Sequence, residues 1–225
     1  VADPGPQVSA VPLTRVPIKD TQPDDDVAVV SEKGHVEPQV VEAAIAPHRS
    51  AMTSCYTQKI GRRSWLGGHV VLCWEVAADG DVTSVQIAES DVGAWPIERC
   101  LLDIARQVTF GKPVGGGAAE VTLPLELTTA RTLASSEEPW APKAVDSLFA
   151  KLDACAKASK VAMPDDVALT IYVGSRRRTE SVGFASRATV IDDAWAACAE
   201  KAALAWRSLE SKHQVTKHLV RYRPH

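Results

Sequence analysis

Apolar positions begin to repeat near residue 37. Val41, Ala44, Ile45, Met52, Cys55 and Tyr56, with His48 among them, recur at steps of three and four and predict one helix face. Glu37-Pro38 marks its start, because proline is tolerated in a first helical turn, and Pro47 predicts a kink within it. Val70, Leu72, Trp74 and Val76 then alternate, Asp79-Gly80 turns the chain, and Val82 to Ala88 returns, which predicts a β-hairpin. In WPIERCLLDIARQVTF, Ile97, Leu101, Ile104 and Val108 mark a second helix face with Cys100 beside it. GKPVGGG ends that helix, and AEVTLPLEL reads as a strand whose Pro124 suits an edge or a bulge. The order is α-β-β-α-β.

The same order follows again. Val145, Leu148, Phe149, Leu152 and Cys155 share a helix face, and Val167, Leu169, Ile171 and Val173 alternate. SVGFA at 181–185 matches SVQIA at 84–88, and QVTKHLVRYR ends the chain as a strand. The hairpin turns differ, Asp79-Gly80-Asp81 against Arg176-Arg177-Arg178. This predicts an α+β protein of two tandem domains, each with two helices packed on a short antiparallel sheet. The expected division is a Pro- and Asp-rich flexible linker over 1–35, a first domain over 36–128, a linker over 129–139 and a second domain over 140–225. The first segment lacks the apolar periodicity needed to offset its ordering entropy. Val1 rather than Met at the start, with no signal-peptide pattern, leads us to expect a processed chain or a piece of a longer one.

Composition adds limits. A formal net charge of −3 gives no field that would point to nucleic acid or an anionic membrane. Of the five cysteines, none stands in CxxC or at metal-ligand spacing from His, so no metal site is expected. Cys55 and Cys100 occupy the two helices of the first repeat, as Cys155 and Cys198 do in the second. Two helices on one sheet face bring such positions within disulfide reach, so Cys55–Cys100 and Cys155–Cys198 are the expected bridges. Cys73 has no counterpart and reads as a strand filler.

Several stretches together resemble a known group. These are GHVEP at 34–38, Cys55-Tyr56, LGGHVVLCWEVAADGDVTSVQIAES at 66–90, ERCLL at 98–102, Phe110 with Pro113, and GGGAAEVTLPLEL at 115–127. The first repeat resembles the TonB-like C-terminal domains of deltaproteobacterial envelope proteins, best represented in myxobacterial gliding-motility proteins. Val108 stands where the family often has Trp, whereas the second repeat keeps Trp206. The second repeat lacks the Tyr and the Asp-Gly turn and enters only through its match to the first.

The resemblance implies a periplasmic location, a parent anchored in the inner membrane, and docking on outer-membrane or periplasmic envelope proteins by strand addition. That implies a non-catalytic coupling module of a gliding-motility or energy-transducing machine, with no cofactor. The final strands are its candidate edges, with Ala119, Val121, Leu123 and Leu125 in the first and Val215, Leu219 and Arg221 in the second. A tether to cell wall or lipid is the alternative, with Arg176, Arg177 and Arg178 as the charged contact. A secreted enzyme is the remaining one, although none of the six histidines falls in HExxH or beside GxSxG and no catalytic set is expected. GKPVGGG lacks the Lys-Ser/Thr ending of a phosphate loop. Trp95 and Trp195 are expected to cover the disulfide or the sheet.

Overall fold

Pro38 opens α1 (Pro38–Ile45), and Pro47 interrupts the ladder with a single 3-10 turn, Ala46–His48, before α2 (Arg49–Ile60). The computed structural model describes residues 7–10, 33–129, 133, 142–161, 164–208 and 214–223. A hairpin of β2 (Gly68–Val76) and β3 (Val82–Ser90) follows, then α3 (Trp95–Ala105) and β4 (Ala119–Thr128). The second repeat runs α4 (Pro142–Ser159), β5 (Val167–Val173), β6 (Thr179–Ala185), α5 (Asp193–Ala205) and β7 (Thr216–Tyr222). The fold is α+β, as the pattern predicted.

Both sheets share one topology. β2 lies between β3 and β4, and β5 lies between β6 and β7, all antiparallel. The first sheet carries one more strand. β1 (Gln7–Ala10), from the segment read as a free linker, pairs antiparallel with β4 from Gln7↔Thr128 to Ala10↔Leu125. The rest of that linker up to residue 32 lies outside the described residues.

Period-two burial explains the packing. Along β4, Ala119, Val121, Leu123, Leu125 and Leu127 are buried, while Glu120 and Glu126 are exposed. Val121, Leu123, Leu125 and Leu127 share one core with Val70, Leu72 and Trp74 of β2 and Leu101 of α3. Trp74 Nε1 donates to Ala105 O at 2.8 Å, tying β2 to the end of α3. Tyr56 is fully buried and its hydroxyl donates to Leu66 O and Thr128 O, closing α2 over the sheet. Trp95 and Trp195 are buried in the core, each meeting Phe184 edge-on.

Both expected disulfides are present, with Cα separations of 5.8 Å for Cys55–Cys100 and 5.6 Å for Cys155–Cys198. The first joins α2 to α3 and the second joins α4 to α5. Cys73 is free and buried, and burial pushes its thiol up to about 11, which suppresses the reactive thiolate.

Candidate functional site

The two candidate edges stand differently. β7 pairs with β5 on one side, and among the described residues no strand lies beside its other side. β4 is not outermost, because β1 covers its last four residues. Gly34 N–H donates to Ala118 O at 2.9 Å, and His35 and Val114 bridge just before the strand. Between these anchors, residues 119–124 carry no strand partner on that side among the described residues. Ala119, Val121, Leu123 and Leu125 point into the core, so an added strand would meet the β4 backbone and the outward Glu120 and Thr122. On β7, Leu219 and Arg221 are exposed, while Val215, half-buried, precedes the strand. His218 is buried, with Nε2 2.9 Å from Thr216 Oγ1.

The junction between the repeats was not legible in the sequence. One face of the second sheet packs on its own helices. The other presents Thr170, Tyr172, Ser181 and Lys217, all buried although the strands alternate. The first repeat covers them. Thr170 Oγ1 donates to Ser90 O (3.2 Å), Ser181 Oγ to Gly93 O (2.6 Å) and Lys217 Nζ to Asp91 Oδ2 (2.8 Å). Trp65 packs on Tyr172 with ring centroids 4.5 Å apart. A methyl group on Gly93 would lie 2.7 Å from Thr170 Cγ2, and one on Gly183 would fall on the Glu98 carboxylate. The repeats therefore meet through two glycines and a hydrogen-bonded polar seam.

Glu98, in the first turn of α3, closes this seam. It is 0 % exposed, accepts from Ser90 Oγ at 2.6 Å and takes the edge N–H of Phe184 at 3.0 Å. β6 is thereby closed as an edge. Burial lifts the Glu98 carboxyl from the ordinary 4.5 to about 7, against hydrogen bonds that favour its ionised form. The only sequence signal was a carboxylate flanked by Ile97 and Leu101.

Since the folded state holds this proton more tightly, its contribution is full below about pH 4.5 and falls as pH rises through about 7. The loss amounts to about 3 kcal/mol. Urea titrations at pH 5 and pH 8 should show the native chain losing this stability relative to Glu98→Gln; an identical difference in both would overturn the assignment.

The arginine turn copies the first hairpin turn. Ala77 N–H donates to Asp81 O and Gly174 N–H to Arg178 O, and Gly80 N–H donates to Ala77 O as Arg177 N–H does to Gly174 O. Gly80 takes φ 98° freely, but Arg177 holds φ 60°, a conformation that disfavours a side chain. Arg176, Arg177 and Arg178 are exposed and make no ion pair among the described residues, and Arg178 bridges to exposed Arg207.

A cleft of about 690 Å³ lies beside the junction, floored by Ala88, Ala168 and Ala185. Its rim groups are already paired, Arg187 with Glu89 and Arg221 with Asp166. Among the described residues, no cluster of three or more His, Cys, Asp or Glu could hold a metal, and no helix is long and apolar enough to cross a membrane.

No family model matches the chain, and no curated protein or solved structure matches it.

Proposed function

We propose that this chain is a non-catalytic coupling module of a bacterial envelope machine. It works in the periplasm, behind an inner-membrane anchor, and docks on outer-membrane or periplasmic proteins by strand addition. The observation that carries this reading is the edge chemistry. β4 takes an added antiparallel strand from a distant part of the chain, and β7 offers a second edge of seven residues with no partner strand among the described residues. The two disulfides fit an oxidising compartment. The sealed junction makes the repeats one body, as load transfer between two sites requires. Resemblance of the first repeat to TonB-like domains of gliding-motility proteins supports the same reading.

Photocrosslinkers placed singly along 119–127 and 214–221 in living cells test it. Crosslinks at alternate positions to one envelope protein are the expected result. No protein crosslink at any position would overturn strand addition.

The exposed arginines favour a second reading, a tether to anionic lipid or cell wall. Arg177 keeps a left-handed conformation where glycine would be free, and three consecutive exposed cations sit at this turn. Replacing Arg176, Arg177 and Arg178 by serine should then abolish sedimentation with peptidoglycan or anionic vesicles while leaving the protein crosslinks intact. Unchanged sedimentation would remove this reading.

A further inference from the structure

The edge assigned above to a partner is occupied here by the chain's own Gln7–Ala10, and the geometry points to β1 as an exchangeable occupant that an incoming strand displaces. This inference rests on strand addition at β4.

β1 lies outside the repeated unit. The sheets have the same order, β3-β2-β4 and β6-β5-β7, and beside β7 no counterpart of β1 is present among the described residues. Among the described residues, the three strands of the second unit pair without one.

β1 is also short and remotely tethered. It spans four residues of the ten in β4, and joins strands more than a hundred positions apart. Four residues make few ladder bonds, and each residue ordered costs conformational entropy that those bonds must offset. Both ends of the stretch 11–32 lie along the same edge, Ala10 opposite Leu125 and Gly34 beside Ala118. Those anchors are roughly 23 Å apart along the strand, whereas a chain of roughly 20 residues reaches some 70 Å. Residues 7–10 can leave the edge without disturbing Gly34.

The part of β4 beyond β1, which no described strand pairs on that side, states what a better occupant carries. Glu120 stands directly across from Glu75, two like charges on one face with no ion pair among the described residues. The segment Gln7-Val8-Ser9-Ala10 is uncharged. The fitting partner is a longer extended segment, uncharged and β-compatible over four residues, with a basic residue five positions further on. A probe peptide of residues 6–16 has this form; continued in the register of β1, its Arg15 faces Glu120.

Fluorescence anisotropy of that labelled peptide, added to the full chain and to Val8→Pro/Ser9→Pro, tests the inference. One of the two prolines removes a β1 donor whichever alternate N–H groups face β4, and both rings disfavour the pairing. The expected result is at least tenfold tighter binding to the double variant, with the same gain on deleting residues 1–10. Equal, measurable binding to both proteins overturns the cis occupant and leaves strand addition standing. Binding to neither overturns strand addition at β4, and this inference with it. A concentration-dependent dimer of the full chain that the double variant lacks would show that a second copy supplies the strand, overturning occupancy in cis.

Discussion

With Cys155 and Cys198 both replaced by alanine, the second repeat loses about 4 kcal/mol of stability by the chain-entropy model. The bridge spans 43 positions and joins α4 to α5, which carry Leu148, Leu152, Trp195 and Ala199 onto the sheet. Domains of this size hold only about 5–15 kcal/mol in total, so the loss is a large fraction of what keeps the repeat folded. Alanine rather than serine avoids placing an unpaired hydroxyl at Cys155, which is 3 % exposed. Urea unfolding followed by tryptophan fluorescence should show the transition moving to markedly lower denaturant. The pair Cys55→Ala/Cys100→Ala, across a 45-position bridge, should do the same in the first repeat. An unmoved transition in both variants would mean that packing alone holds the helices.

The second large effect is expected at the seam. A methyl group on Gly183 falls on the Glu98 carboxylate, with the backbone of β6 on one side and the first turn of α3 on the other. Glu98 must then move, leaving the Phe184 N–H without its acceptor in a site closed to water. Overpacking and the lost acceptor together place Gly183→Ala at about 2–5 kcal/mol. The native chain should unfold in one transition because its core is continuous across the repeats, from Trp95 through Phe184 to Trp195. Calorimetry of Gly183→Ala should resolve two. Adding Glu98→Ala removes the obstructing carboxylate, so the double variant should recover part of the loss, a coupling that a double-mutant cycle reads directly. Simple additivity of the two changes would show that the seam is not where Gly183 acts. The experiment also bears on function, since a protein whose repeats separate transmits no load between edges.

Legibility followed the range of the interactions. Helix faces, the hairpins and the kink at Pro47 were readable because each arises from periodicity or turn chemistry within a few residues. The disulfides were readable because duplication placed each pair on two helices that must share a sheet face. The final strands were taken as candidate edges from Pro124 and the family resemblance, and the pairing of Gln7–Ala10 with β4, across more than a hundred positions, was not legible. Nothing in a proline-flanked, uncharged tetrapeptide distinguishes a strand from a linker until an open edge is beside it.

The sequence by itself determined two α-β-β-α-β units, their cores and their bridges, because alternation and helical spacing select which side chains leave water. Tertiary structure alone decided that the outer face of the second sheet is an interior. Nothing in their local pattern marks Thr170, Ser181 and Lys217 as buried, and Ser90, Gly93 and Asp91 supply the partners that let them be. It also decided that Glu98 takes an edge N–H of β6, while the side of β7 away from β5 has no partner strand among the described residues. The two edges of the second sheet thus differ for a reason outside their own strands, because an edge group is satisfied only by what packs beside it.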